Sequence, residues 1–281
     1  MLKIKNLCKS YPSFKLKDVS FVIESGYITG FIGMNGAGKT TTLKSILNIV
    51  KPDSGDIRAF GKVVSEHEKE VKQQIGFMLG GADYYLKSKV IKVSSVFRLF
   101  YEQWDEEAYR NFIRRFNIDE NKTISELSSG MRVKLALTYA LSHRAKLLIF
   151  DELTSGLDPI ARDELLDLFH EIIEDGEKSI LFSTHITSDL DKCADYILFI
   201  RDGEIIANST KDDLVDSHLL VSGKKDDLTP DIVKRLVAYK EHPYGFKGLM
   251  LRENKKKTDT LLAEKPNLEE IMIYYNKGAA R

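Results

Sequence analysis

The sequence GMNGAGKTT occupies Gly33–Thr41, between an apolar segment at residues 27–32 and a segment with helical periodicity at residues 42–49. A glycine loop between a strand and a helix gives the pattern G-x-x-x-x-G-K-[ST] the context of a phosphate-binding loop. Glycines let the backbone approach an anion closely, so that successive N–H groups point inward. The positive end of the following helix faces the same point. The sequence therefore predicts that a nucleoside triphosphate binds here.

Two side chains of this loop have predicted roles of their own. Lys39 supplies a mobile ammonium for the β- and γ-phosphates, and the Thr40 hydroxyl is placed to ligate magnesium. The predicted ligands are therefore a nucleoside triphosphate and Mg²⁺. The other nucleotide-binding positions predicted in the loop are Asn35, Gly36, Gly38 and Thr41.

Length and charge set the broad class. A chain of 281 residues can form one large domain with an appendage, and its 42 basic and 42 acidic residues give a pI near 7.0. This balance argues against a nucleic-acid surface, which carries a basic excess. Cys8 and Cys193 stand far apart, as expected in a reducing compartment. Because no signal peptide and no apolar run of about eighteen residues is visible, we expect a soluble, cytoplasmic chain that reaches a membrane only through a partner.

A second site signal follows the run Leu147–Phe150, whose four apolar residues are typical of a strand covered on both faces of a parallel sheet. Such strands present ligands at their C-terminal ends. Because strand side chains alternate, Asp151 can reach the magnesium while Glu152 faces a water. Two carboxylates at a buried strand end without a cation would be costly. This cost favours a metal ligand and a general base over a purely structural pair.

Three further features each leave two interpretations open when the residues are taken alone. Tyr11 is either an ordinary core or surface aromatic or a side chain that stacks on a nucleotide base. The segment at residues 126–132 is a helix cap or a second phosphate site. His185, at the end of an apolar strand, is a structural histidine or a ligand contact.

The remaining chain adds two pieces to this core. Residues 90–117 have helical periodicity, which predicts a helical insertion with one apolar stripe per helix. Such stripes are more often core than contact surface, but part of this face could dock a partner. From about residue 219 the sequence predicts a small appended unit with helices near residues 230–236 and 268–275. The lysines at 255–257 form a solvated loop or contact anionic lipid.

The motifs, in their order along the chain, resemble those of the nucleotide-binding subunit of an ATP-binding cassette (ABC) transporter. The resemblance covers roughly the first 215 residues. The resemblance implies that Gly33–Thr41 is the Walker A loop and that Asp151 binds magnesium. It also implies that Glu152 is the general base and that Lys39 and His185 complete the catalytic group. His185 would be the switch histidine, which contacts the γ-phosphate.

The same resemblance assigns the other contacts with ATP. Tyr11 would be the aromatic that stacks on adenine. Residues 127–131 would be the signature sequence, in which Ser128 and Gly130 contact ATP. Asp158, the predicted N-cap of a helix that begins with a proline, would belong to the D-loop.

The resemblance further implies an α/β fold: a P-loop NTPase core with a mixed sheet flanked by helices, an antiparallel β subdomain and a helical subdomain insertion. A small C-terminal α+β extension would follow. The expected domains are an ABC ATPase domain at residues 1–217, with the helical subdomain at about 82–142, and an accessory unit at residues 218–281.

Three positions depart from the family pattern. The signature reads LSSGM where LSGGQ is usual, so Ser129 places a side chain where the family has glycine, and we expect function to survive. Leu153 replaces a proline, which slightly changes backbone stiffness. Gly80 stands where the family has a glutamine. Either a water or a neighbour such as Asp83 substitutes for it, or coupling to the membrane partner is looser.

The resemblance implies two partners and one location. Two ATPase subunits, this chain with itself or with a paralogous subunit, would close head to tail, so that the signature helix of one caps the ATP of the other. A separate transmembrane permease would be driven by this closure, which places the chain at the cytoplasmic face of the membrane, with no nucleic-acid partner.

The competing class is a soluble, non-transport ABC ATPase of the translation or DNA repair type. Transport is favoured by the single cassette, the short insertion and the lack of a heptad array. A GTPase is disfavoured, because the N-K-x-D motif that binds guanine does not appear in the sequence. Residues 266–272 are similar to the tail of ABC-2-type exporters of drugs, bacteriocins and amphipathic peptides, including phenol-soluble modulins. The expected function is therefore an ATP-hydrolysing subunit that powers such an exporter.

Overall fold

The computed structural model describes residues 1–79 and 85–278, so Gly80 and Asp83 lie outside the described residues. The chain divides into two compact units, Met1–Asn208 and Ser209–Arg281. The boundary expected from the sequence lies after residue 217 rather than after residue 208.

The first unit contains an antiparallel sheet and a mixed sheet, as expected from the sequence. The antiparallel sheet consists of β1 (Leu2–Tyr11), β2 (Phe14–Ile23), β4 (Ser54–Ala59) and β5 (Lys62–Val63). The mixed sheet consists of β3 (Ile28–Ile32), β6 (Ile75–Met78), β7 (Leu147–Asp151), β8 (Ser179–Thr184), β9 (Tyr196–Arg201) and β10 (Glu204–Thr210). Its strand order is β10-β9-β3-β8-β7-β6, and the five strands other than β10 are parallel.

The central strands of the mixed sheet are buried along their whole length, which explains their uninterrupted apolar sequences. Every residue of β3, β7 and β8 is buried, because helices cover both faces of a parallel sheet. In the antiparallel sheet, β1 runs as far as Tyr11. It continues because it pairs with β2 up to the contact between Tyr11 and Phe14.

Helices of the first unit surround these sheets. Those in its described residues are α1 (Lys39–Ile46), α2 (Glu68–Lys72), α3 (Val90–Phe100), α4 (Glu106–Arg115), α5 (Ser129–Ser142), α6 (Pro159–Ile173) and α7 (Thr187–Cys193). The predicted helical insertion is confirmed by α3 and α4, which share a small apolar core with α5. At its centre Tyr109 is fully buried, and its hydroxyl lies 2.6 Å from Ser94 Oγ.

The turn between β9 and β10 supports the phosphate-binding loop. Asp202 and Gly203 both have positive φ, as a tight hairpin requires. The Gly203 N–H donates to the carbonyl of Ala37 at 3.1 Å, and its own carbonyl accepts from Lys17 N–H at 2.8 Å. A Cβ atom at position 203 would lie 1.8 Å from the carbonyl oxygen of Lys15. The turn therefore has room only for glycine.

Gly203→Ala is accordingly expected to lower the free energy of unfolding by about 3 kcal/mol, by adding a steric clash to the strain of positive φ. Gly176→Ala is the matched control, because Gly176 also has positive φ (+72°) but a Cβ atom there would have no neighbour within 4 Å. The control should lose only about 1 kcal/mol. Urea denaturation measures both losses, and equal losses would contradict the close packing of this turn.

The second unit is a small α+β structure. Its elements are α8 (Lys211–Asp216), β11 (His218–Gly223), α9 (Pro230–Arg235), β12 (Leu236–His242), β13 (Gly245–Leu251), β14 (Leu262–Glu264) and α10 (Leu268–Gly278). The strands form an antiparallel sheet in the order β12-β13-β11-β14, and α10 packs against β12. The Arg235 guanidinium, hydrogen-bonded to Asp259, holds the pKa of that carboxyl at about 2.

Candidate functional site

Three neighbouring parallel strands bring the predicted site residues to one edge of the mixed sheet. The glycine loop follows β3, His185 follows β8, and Asp151 ends β7. In the register of these strands Asp151 lies opposite Ser183. Because the carboxyl ends of parallel strands meet at the same edge, side chains that are far apart in the sequence become neighbours.

The loop itself has the backbone geometry of an anion cradle. Gly36 and Gly38 have φ values of +83° and +117°, which favour glycine. A Cβ atom at Gly33 would lie 2.4 Å from the carbonyl oxygen of Ile200, and one at Gly38 would lie 2.6 Å from the Leu16 side chain. The first N–H groups of α1 have no carbonyl one turn earlier to bond. These donors can therefore bind the oxygens of a phosphate.

Lys39 lies inside this loop and is 5% exposed. Its Nζ donates to the carbonyl of Gly33 at 2.7 Å and to that of Met34 at 3.3 Å. It also lies 3.2 Å from Glu152 Oε1 as an ion pair. The ammonium is therefore held at the centre of the loop, within reach of any anion bound there.

Thr40 and Asp151 place two hard oxygen donors side by side. The Thr40 hydroxyl donates to Asp151 Oδ2 at 2.7 Å, and the Ser183 hydroxyl donates to Oδ1 at 2.6 Å. Asp151 is 3% exposed, so its orientation is fixed by these two bonds. A hydroxyl and a carboxylate oxygen fit Mg²⁺, which takes few protein ligands and completes its shell with water and phosphate.

Glu152 lies between Lys39 and His185. Its φ is +54°, an uncommon backbone conformation for a residue with a side chain, and its N–H donates to the carbonyl of Ser183 at 3.1 Å. His185 Nδ1 is 2.7 Å from Oε2, whereas the buried Oε1 accepts no hydrogen bond from any described residue. The structure therefore presents one carboxylate oxygen, not engaged in a hydrogen bond, next to the ammonium of the loop.

A second group of predicted residues lies together at the starts of α5 and α6. Ser128 is the N-cap of α5 and accepts from Met131 N–H at 3.2 Å. Asp158 is the N-cap of α6, as predicted, and accepts from two N–H groups at 3.0 Å. A Cβ atom at Gly130 would lie 3.3 Å from Ala161 of α6. The segments at the starts of α5 and α6, which were predicted as signature and D-loop, thus form one surface.

The serine that departs from the family signature has a partner in this surface. Ser129 Oγ donates to the carbonyl of Gly156 at 3.3 Å, so it links the start of α5 to the loop before Asp158. This is an exposed hydrogen bond, whose net contribution is near the lower end of the range for such bonds, about 0.5 kcal/mol.

Ser129→Gly is therefore expected to change the ATP hydrolysis rate by less than about threefold. Ser128→Ala is the comparison, since it removes a cap that contributes about 1 kcal/mol and a predicted contact with ATP. Steady-state ATPase assays on both variants measure the effect. A tenfold or larger loss in Ser129→Gly would show that the extra hydroxyl is required.

Tyr11 lies at the end of the antiparallel sheet near the glycine loop. It pairs with Phe14, whose ring would meet a Cβ atom at Gly38 at 2.9 Å. Tyr11 is 39% exposed, and Lys9 Nζ lies 5.8 Å from its ring centroid. An aromatic face is thus open to solvent beside the loop, where a base could stack.

Two residues that hold the site together have no separate role in the predictions made from the sequence. Ser183 and Thr184 are fully buried polar residues at the end of an apolar strand, and the Ser183 hydroxyl donates to Asp151 and accepts from Glu152 N–H at 3.0 Å. Polar side chains in a strand that is otherwise apolar on both faces are the signal that could have identified them.

The chain is similar to known proteins over most of its length. The family model described as ABC transporter matches residues 16–155. The ABC transporter ATP-binding protein YtrB of Bacillus subtilis (strain 168) is 29% identical over 292 residues, covering 100% of both chains. The bacitracin transport ATP-binding protein BcrA of Bacillus licheniformis is 31% identical over 211 residues, covering 73% of this chain and 68% of the relative. A solved ATP-binding subunit of an ABC transporter superposes with a TM-score of 0.69 and 28% identity, covering 76% of this chain and 91% of that one.

Within residues 1–79 and 85–278, none of the helices combines the length and the apolar composition that crossing a bilayer requires.

Proposed function

The chain belongs to the family of ABC transporter ATP-binding proteins, and from this membership we propose that it powers a membrane exporter of amphipathic peptides or drugs. As a member of the family it is an ATP-binding ATPase.

The observation that carries the proposal is the contact of Glu152 with both Lys39 and His185 at the mouth of the glycine loop. Lys39 binds the β- and γ-phosphates, and His185 contacts the γ-phosphate. Glu152 Oε1, which is buried and lies 3.2 Å from Lys39 Nζ, accepts the proton of the attacking water. The loop amides, including those of Asn35, Gly36 and Gly38, and those of Lys39, Thr40 and Thr41, hold the phosphate oxygens.

Thr40 and Asp151 would hold Mg²⁺, which neutralises charge on the phosphates when bound. Ser183 supports this pair, because its hydrogen bond keeps the Asp151 carboxylate turned toward Thr40. Tyr11 stacks on the adenine ring.

We place the second group of site residues in a neighbouring subunit's reaction. Ser128 and Gly130 lie at the start of α5, and Asp158 is the N-cap of α6. In a head-to-tail dimer, of this chain with itself or with a paralogous subunit, the Ser128 hydroxyl and the N–H groups at these helix starts cap the ATP of the partner. An isolated chain should then bind ATP but hydrolyse it slowly, because half of the anion-stabilising donors come from the partner.

An apolar groove supports the proposal of a permease partner at the cytoplasmic face of the membrane. The groove has a volume of about 460 Å³ and is lined mainly by apolar and aromatic side chains of β6, α3 and α5. Its rim exposes Val96 (57%), Phe100 (67%) and Phe77 (40%). Burial raises the pKa of Tyr139 to about 12 and lowers the pKa of His143, so both side chains are neutral near pH 7. Part of the predicted apolar stripe is thus left open for a partner.

Phe100→Glu is expected to abolish co-purification with the permease and to leave ATP affinity within about twofold of wild type, since a charge buried in an apolar contact is strongly unfavourable. Tyr244→Glu is the matched control, because Tyr244 is 94% exposed in the second unit. Both variants are captured from detergent-solubilised membranes. Equal recovery of the permease with Phe100→Glu would place the docking surface elsewhere.

Two similarities support amphipathic peptides or drugs as the class of substrate. The BcrA relative is named for bacitracin transport, and residues 266–272 resemble the tail of ABC-2-type exporters. The permease selects the substrate, so the export assay must include it.

The deciding experiment is transport in vesicles rebuilt from this chain and its cognate membrane chain. ATP-dependent movement of an amphipathic peptide, lost with Glu152→Gln, is the expected result. ATP hydrolysis by the chain without any associated hydrophobic chain in the cell would instead support a soluble ABC ATPase.

A further inference from the structure

A partly buried ion pair joins α6 to α7. Arg162, in the first turn of α6, donates from Nε to Asp189 Oδ1, and its Nη2 also contacts this oxygen. Asp189 is 1% exposed. Burial of a carboxylate is unfavourable unless it is paired and hydrogen-bonded. The pair therefore fixes the position of α7 relative to the start of α6.

The second oxygen of Asp189 faces the segment that carries His185. The Thr184 hydroxyl donates to Asp189 Oδ2 at 3.4 Å and accepts from Ile186 N–H at 3.0 Å. Residues 184 and 186 flank His185, so this hydroxyl bridges the backbone around the histidine. Because Thr184 is fully buried, the direction of its hydroxyl is set by these two partners.

The other end of the connection is the N-cap of α6. The Arg162 N–H donates to the carbonyl of Asp158 at 3.0 Å, and this bond closes the first turn of the helix. The Asp158 carboxylate accepts from the N–H groups of Ile160 and Ala161 in the same turn. Arg162 and Asp158 therefore belong to one capped helical turn and move together.

We propose that Arg162 is a positioning residue for ATP hydrolysis: through Asp189 and Thr184 it holds His185 against Glu152 and ties that position to the start of α6. This inference rests on the proposed function, because His185 has a role in hydrolysis only if this site hydrolyses ATP. A continuous set of contacts leads from Asp158 to the 2.7 Å contact between His185 and Glu152. A displacement of the D-loop segment by a second subunit thus reaches the histidine of the same chain.

The test uses Arg162→Gln and Thr184→Val in the full chain, with single-turnover hydrolysis of bound ATP. Each variant is expected to hydrolyse ATP at least about tenfold more slowly, since small displacements of a catalytic group cost one to two orders of magnitude in rate. The affinity for ATP should stay within about twofold of wild type, because Lys39 and the loop are untouched. Thr184→Val retains the ion pair between the helices, so a slow rate in this variant cannot result from loss of that pair.

The sharper readout is the combination with His185→Ala. If Arg162 acts through the histidine, Arg162→Gln should change the residual rate of His185→Ala by less than about twofold, although the thermal midpoint still falls. A purely structural role would give the same fold loss in both backgrounds.

Lys192→Ala is the matched control. Lys192 pairs with Asp163 between the same two helices, at an exposed position that does not involve Thr184. This variant should hydrolyse ATP at the wild-type rate. The role of Arg162 would be overturned by wild-type rates in both Arg162→Gln and Thr184→Val, or by equal losses of rate with and without His185. Either result would leave the proposed function standing. A wild-type chain that binds no ATP would overturn the proposed function and this inference together.

Discussion

Glu152→Gln is expected to lower the rate of ATP hydrolysis by about 10²- to 10⁴-fold, the usual contribution of a general base. Glutamine keeps the shape of the side chain but cannot accept a proton from the attacking water. The substitution also removes the anion that lies 3.2 Å from Lys39 Nζ, so the ammonium is freer to bind phosphate. ATP affinity should therefore equal or exceed that of wild type. Phosphate release and titration calorimetry with ATP measure the two quantities.

The same variant should accumulate as a closed dimer when ATP and Mg²⁺ are present, because hydrolysis no longer opens it. Size-exclusion chromatography with and without ATP detects this change. Glu164→Gln is the control, since Glu164 lies on α6 and pairs with Lys134 away from Lys39 and His185. Wild-type turnover in Glu152→Gln would remove Glu152 from the role of general base.

Lys39→Ala is expected to weaken ATP binding by about 10- to 100-fold, because hydrogen bonds to a charged group contribute about 1.5–3 kcal/mol. Lys39 is 5% exposed, and its ammonium lies within 3.3 Å of two loop carbonyls. A bound triphosphate would be its natural counter-ion, in place of Glu152. Titration calorimetry with ATP measures the loss directly.

Lys44→Ala provides the control for net charge, since Lys44 lies in the last turn of the same helix, α1. This variant should bind ATP as wild type does. Thermal melting of Lys39→Ala separates lost binding from lost loop structure, because Lys39 also bonds the carbonyls of Gly33 and Met34. Unchanged ATP affinity in a folded Lys39→Ala chain would contradict the assigned cradle.

The central part of the site could be predicted from the sequence because its signals are local. The glycine loop is bounded by its own strand and helix, so residues 27–49 contain the strand, the turn glycines and Lys39 in one continuous segment. Asp151 and Glu152 were predictable for the same reason, since the apolar run before them indicates a buried strand of a parallel sheet. The N-cap at Asp158 was marked by the proline that follows it, and the structure confirms it.

The connections between these segments could not be predicted, because they depend on which strands become neighbours. The bond from Ser183 to Asp151 exists only because β8 pairs with β7. The ion pair of Arg162 with Asp189 joins two helices whose sequences give no sign of contact. Both interactions follow from tertiary packing rather than from local pattern.

The second unit was the least predictable part of the fold. The sequence predicts helices near residues 230–236 and 268–275 but locates none of the strands, including the hairpin of β12 and β13. The turn between these two strands includes Tyr244 and lacks the asparagine or aspartate that usually indicates a hairpin. Residues 236–242 are also poor in the regular alternation from which strands are read.

The most direct measurement is a crystal structure of full-length Glu152→Gln with ATP and Mg²⁺. We expect the triphosphate within Gly33–Thr41, with Lys39 Nζ turned from the carbonyls of Gly33 and Met34 to the phosphates. We also expect Mg²⁺ between Thr40 and Asp151, and Ser128 of a second subunit against the γ-phosphate. An empty loop, or Lys39 still bonded to the two carbonyls with ATP bound elsewhere, would contradict the account.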